Sequence, residues 1–134
     1  MGRPRGFDEE EVVLLAGGLF ERLGYEATSV DDLVVGVRLH RGSLYQAFGS
    51  KRGLFLFALR RLVEKLPSRL EEDLTQTSAL DLVLVAAMEL ASRDDEVRAL
   101  VRTACALLDD RPDSAPNGAG DLLGRRLLHR ALHP

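Results

Sequence analysis

The residues that could do chemistry are concentrated between positions 40 and 52, in "HRGSLYQAFGSKR". Arg41 and Gln46 carry donors and acceptors that suit the edges of base pairs. Ser43 and Tyr45 suit phosphate oxygens, and Gly42 would let a backbone approach closely. Lys51 and Arg52 follow the break "FGS" and open a second helix. Cations at a helix start oppose the backbone dipole and cost a few tenths of a kcal/mol, unless an anion sits there. With an anion, Ser50, Lys51 and the free N–H groups of the first turn would form a phosphate clamp. The surroundings agree in sign. Residues 38–65 carry seven basic groups against Glu64, a balance of 7 − 1 = +6. Residues 66–134 carry eight basic and twelve acidic groups, a balance of 8 − 12 = −4. The net charge of −3 for the whole chain therefore hides a basic segment able to meet phosphate.

Other reactive residue types lead to weaker readings. No nucleophile elbow, phosphate-binding loop or zinc spacing occurs, so an enzyme is not expected. His129 and His133 stand four apart, a metal-ligand spacing, but no third ligand accompanies them, and neither a metal nor a cofactor is expected. Cys105 is the single cysteine, which excludes an internal disulfide and reads as a small core residue in a reducing compartment. Glu89, inside an apolar stretch, is a candidate for lining a ligand pocket.

The elements that must position residues 40–52 are helical. Hydrophobic residues make up 46% of the 134 residues, aromatics only 5%, and Trp is absent, so Leu, Val and Ala dominate and favour helix packing. A first helix is expected over about 9–23, capped by Asp8 and stopped by Gly24. The paired Gly17 and Gly18 inside it need a close neighbour to justify them. A second helix follows "ATS", capped by Thr28 or Ser29 with Asp31 or Asp32 three residues on, and buries Val30, Leu33, Val34 and Val37. A third carries Leu44 and Phe48 inward and leaves Arg41, Ser43, Tyr45 and Gln46 pointing elsewhere. Ser50 caps a fourth, apolar on every face over 54–59 and ended or kinked at Pro67. A fifth, about 79–92, is capped by Ser78 with Asp81. A sixth, about 94–110, has Val97, Leu100, Val101, Ala104 and Leu108 on one stripe. Residues 111–120 read as a loop. The last helix has Leu122, Leu123, Leu127, Leu128 and Leu132 on its stripe, with Arg125, Arg126 and Arg130 off it. No apolar run reaches the roughly 18 residues of a membrane span and no signal-peptide pattern opens the chain, so the expected compartment is the cytoplasm.

Two short helices joined by a tight turn and packed on a first describe a helix-turn-helix. The run "GYEATSVDDLVVGVRLHRGSLYQAFGSKRGLF" resembles the DNA-binding segment of the tetracycline-repressor (TetR) family of transcriptional regulators, with "GYEATS", "GSLYQAFGSK" and "LF" at matching spacing. The opening "GRPR" and "FD" also recur ahead of the first helix there. The resemblance covers about residues 3–60. It implies an all-α protein: a three-helix DNA-binding domain over 1–50 with a basic N-terminal arm, and a linker helix with a helical dimerisation domain over 51–134. It further implies a homodimeric regulator, usually a repressor, on a palindromic double-stranded DNA operator, with a small-molecule effector as a further partner. Carried onto this chain, Thr28 falls on phosphate; Arg41, Gly42 and Ser43 on the reading segment; Tyr45 and Lys51 on phosphates. Ser29, at the start of the second helix, and His40, before the third, join them. Arg3 and Arg5 form a candidate minor-groove arm.

Two positions depart from the family. Arg38 stands where the turn usually has glycine, so it must adopt a positive φ or the turn must be remodelled. His40 stands where Ser or Thr commonly caps the third helix. Val97, Val101, Leu108, Leu123 and Leu127 are the expected dimer surface. With so few residues after the fourth helix, an effector site is expected to be small and near Glu89, or absent. The competing class is an all-α interaction or small-ligand module whose basic face is incidental.

Overall fold

The computed structural model describes residues 6–111 and 118–133. Arg3, Arg5 and most of the loop expected over 111–120 lie outside those residues. The described chain is all-α: α1 Glu9–Leu23, α2 Val30–Val37, α3 Arg41–Phe48, α4 Lys51–Lys65, α5 Asp81–Val85, α6 Asp95–Asp109 and α7 Ala119–Leu132. Packing divides it into two compact units, residues 1–58 and 59–134. The division falls inside α4 rather than at its start, because Leu54, Phe55 and Ala58 are buried side chains of the first unit.

The first unit is built on an aromatic cluster. The Phe20 and Phe55 rings meet edge to face at 5.0 Å, and Tyr25 lies 5.8 Å from Phe20 and 5.1 Å from Phe55. Leu33, Leu44 and Leu54, all fully buried, pack α2, α3 and α4 into the same core. The two odd glycines of α1 have separate explanations. Gly17 is buried, with Ala58 at 3.8 Å from where its Cβ would stand, so α1 and α4 approach closely. Gly18 is half-buried, beside the Arg22 guanidinium. Gly36 of α2 is a third close approach, since a Cβ there would collide with Leu19.

In the second unit α4 ends at Lys65, and the chain tightens into a 3-10 turn, Leu66–Arg69, containing Pro67. Proline lacks the N–H that would continue the α-helical ladder. Leu66, Leu74, Leu80, Val83, Ala104 and Leu108 form the centre of this core.

Four expectations are corrected here. The fifth helix is shorter and differently capped: 3-10 turns at Leu74–Gln76 and Ser78–Leu80 precede α5, which passes into a π turn over Ala86–Leu90. α5 itself has no side-chain cap; Thr77, not Ser78, caps the 3-10 turn before it, accepting from the Ala79 N–H at 3.3 Å. Asp81 is buried and turned to Arg126, whose Nε and Nη2 donate to its two oxygens at 2.7 and 2.9 Å. Arg126 is therefore a buried residue of α7 rather than one off its stripe; its Nη1 donates to the Thr75 carbonyl at 3.2 Å. Finally, Val97 and Leu108 are 0% and 1% exposed within the chain, so neither can form a dimer surface.

Candidate nucleic-acid interface

The α2–α3 pair is held by local chemistry at each end. Ser29 caps α2 through a reciprocal box: its hydroxyl accepts from the Asp32 N–H at 2.9 Å, and its own N–H donates to Asp32 Oδ2 at 2.9 Å. The Ser29 N–H, and then its side chain, hold the Asp32 carboxyl below its usual range. The carboxylate half of the box is thus complete above the ordinary aspartate pKa and is lost as pH falls through the lowered value. At the other end of α2, Arg38 takes φ 60° and ψ 39°, the left-handed conformation that glycine usually supplies. The turn is kept and Arg38 bears its conformational cost, while the Leu39 N–H reaches the Val34 carbonyl at 3.3 Å. His40 is extended and begins α3 through its carbonyl alone, with no side-chain cap.

α3 ends at Gly49, φ 81°, whose N–H donates to the Tyr45 carbonyl at 2.8 Å. Ser50 then caps α4, accepting from the Gly53 N–H at 2.9 Å. Gly53 is a residue that sequence reasoning passed over. Any Cβ on it would run into the Phe48 carbonyl, so the sharp corner between α3 and α4 depends on it.

Leu44 and Phe48 fasten α3 from below. Arg41, Gly42, Tyr45 and Gln46 are exposed, and at helical spacing they form one continuous outer face. Ser43 is half-buried at its edge, and His40 is exposed just before it. Arg41 is not alone: its Nη2 forms an ion pair with Asp31 in the first turn of α2.

Two expected phosphate ligands sit differently. Thr28 is fully buried, and its hydroxyl donates to the Gly24 carbonyl at 2.5 Å. Its side chain holds the α1–α2 connection, and the expected phosphate contact is corrected on that ground. Lys51 is half-buried and turned inward, donating to the carbonyls of Tyr25 at 3.0 Å and Thr28 at 3.1 Å. Its ammonium also lies 4.3 Å from the centre of the Tyr25 ring. This resolves the oddity of a cation at a helix start, because the side chain carries the charge away from the α4 amides to two carbonyl dipoles and a π face. The ammonium has three N–H bonds, and two are committed.

The other candidates are dispersed. Glu89 is half-buried in the π turn. His129 and His133 stack at 4.7 Å, with His133 Nδ1 3.1 Å from the His129 carbonyl. Cys105 is half-buried, and burial, then Asp109, push its thiol pKa up, away from reactivity. Of the expected dimer residues, Val101 and Leu123 are half-buried and Leu127 is exposed, with Leu128 and Leu132 more exposed still.

A helix-turn-helix packed on a first helix, with a polar outer face on its second short helix, defines a DNA-binding module. The family model for bacterial regulatory proteins of the tetR family matches residues 15–57. The chain is 31% identical over 119 residues to the HTH-type transcriptional repressor ComR of Escherichia coli, covering 84% of this chain and 56% of that protein. It is 42% identical over 64 residues to the uncharacterized HTH-type transcriptional regulator YezE of Bacillus subtilis, 48% of this chain and 33% of that one. It is also 42% identical over 62 residues to the HTH-type transcriptional repressor BdcR of Escherichia coli, 46% of this chain and 32% of that one. The chain thus spans between a third and just over half the length of these relatives. It belongs to the tetR family of bacterial regulatory proteins. Among the described residues no helix is long and apolar enough to cross a membrane.

Proposed function

We propose that the chain is a transcriptional repressor that binds a palindromic operator as a homodimer, laying α3 in the major groove. The observation that carries this is the exposed face of Arg41, Gly42, Tyr45 and Gln46 on a helix fastened by Leu44 and Phe48. Arg41 and Gln46 read base edges, Tyr45 and Ser43 hold phosphates, and His40, Ser29 and the third N–H of Lys51 lie at the margins of the same footprint. Arg3 and Arg5 reach the adjacent minor groove. The word repressor in the names of ComR and BdcR supports the direction of regulation.

Dimerisation falls to α6 and α7 through Val101, Leu127, Leu128 and Leu132, placing two reading helices about one DNA turn, roughly 34–36 Å, apart. A small-molecule effector near Glu89 completes the reading, since a π turn often marks a functional position. Selection of duplexes from a random pool by the pure protein tests it. Recovery of an inverted repeat, with binding that weakens steeply as salt rises, is expected. Recovery of no sequence, with salt-insensitive binding, would return the chain to the class of interaction modules.

A further inference from the structure

We propose that Asp31 is a specificity-determining residue of the DNA interface, one that holds Arg41 for guanine and disfavours its use on phosphate. The inference rests on the proposed function and deepens it. Asp31 is on the first turn of α2 and Arg41 is the first residue of α3, so the pair bridges the two helices across the turn at Arg38. The Asp31 carboxylate is not needed to start α2, because Ser29 and Asp32 supply both halves of that cap. Nor does the pair hold the fold together. Its side chains are 81% and 51% exposed, and an ion pair so open to water contributes little to stability.

The pair acts on how Arg41 can be used. A guanidinium has five N–H bonds, and Asp31 engages one of the two on Nη2, which leaves four. Nη2 belongs to two donor edges, one shared with Nε and one with Nη1, and the edge that Asp31 does not occupy can still serve the two neutral acceptors on the major-groove edge of guanine. A phosphate drawn to the same guanidinium meets the carboxylate as a like charge beside it, and the cost of that encounter rises as the interface excludes water. Asp31 therefore weakens Arg41 as a general phosphate ligand more than as a base reader. It also restricts a long, flexible side chain to fewer rotamers before DNA arrives, which lowers the ordering cost of binding. The ratio of specific to non-specific affinity rises by both routes, although Asp31 itself need touch no base.

The test compares the parent, Asp31→Asn, Asp31→Glu, Arg41→Ala and the double variant Asp31→Asn with Arg41→Ala. Each is measured on the duplex selected by the parent and on random duplex at one salt concentration. Asp31→Asn should bind random duplex roughly threefold or more tighter, and its specific-to-random ratio should fall about five- to tenfold. Its selected-site logo should flatten at the guanine read by Arg41. Asp31→Glu, which keeps the carboxylate, should restore most of the ratio. In the Arg41→Ala background Asp31→Asn should leave the ratio unchanged. A ratio that survives Asp31→Asn, or that falls equally without Arg41, overturns the inference. A parent that selects no sequence overturns the functional reading and this inference with it, and the parent's own logo separates the two failures. Circular dichroism of Asp31→Asn should match the parent, since the carboxylate is solvent-exposed; a loss of helix would overturn its assignment to DNA reading rather than folding.

Discussion

Replacing Lys51 by alanine separates an internal anchor from a phosphate ligand. The substitution removes two N–H bonds to carbonyl oxygens at 3.0 and 3.1 Å and an ammonium 4.3 Å from the Tyr25 ring. A hydrogen bond to a charged donor contributes about 1.5–3 kcal/mol and a cation–π contact at an open site about 0.5–1 kcal/mol. Lys51 is half-buried, so water regains part of the lost contacts, and the low end of each range applies. The first unit should lose about 3.5 kcal/mol, read by urea denaturation of parent and variant followed by circular dichroism. DNA binding gives an independent reading of the third N–H. If it meets a phosphate, the slope of log affinity against log salt falls by about one unit, equally on every duplex. Lys51→Met, which keeps the apolar stem, should lose the same slope and slightly less stability. A variant within about 0.5 kcal/mol of the parent would refute the anchor. An unchanged slope with unchanged affinity for the folded variant would remove Lys51 from the interface.

Arg41→Ala should cost about 1–3 kcal/mol at one preferred base and relax selection there, whereas coinciding logos for parent and variant would show that Arg41 does not read. Leu128→Arg with Leu132→Arg, at side chains 63% and 72% exposed within the chain, should yield folded monomers that no longer bind an inverted repeat. Sedimentation checks this, and a parent that is monomeric at micromolar concentration even with DNA present refutes it. Asp81→Ala should destabilise by about 3–5 kcal/mol, because it removes the carboxylate that takes two hydrogen bonds from the buried Arg126 guanidinium. Asp81→Leu with Arg126→Met and Arg130→Met, the last removing a guanidinium whose buried Nη1 lies 3.5 Å from Asp81 Oδ2, should lie within about 2 kcal/mol of the parent, and a single substitution no worse than the triple would deny that charge burial is the cost.

The sequence by itself determined the elements of the first unit. Helix starts and stops depend on residues within one turn of each other, and Asp8, Ser29 with Asp32, Ser50 and Gly49 act over that range. The side chains that α3 buries, Leu44 and Phe48, follow from a spacing of four, and with them the face left exposed. What only the tertiary structure decided involves partners distant in the chain. Lys51 stands where a local pattern suggests a phosphate and Thr28 where the family resemblance does, yet both are committed to carbonyls of the α1–α2 connection, in the case of Lys51 from more than twenty residues away. Arg126 reads as a surface arginine because helical periodicity weighs only apolar neighbours; a carboxylate 45 residues earlier makes its burial tolerable. Val97 and Leu108 read as dimer surface because a stripe shows that a helix has an apolar face but not what covers it, and in this chain its own core does. The pairing of Asp31 with Arg41 spans ten residues and a left-handed turn, so it required the geometry of Arg38 to be known first.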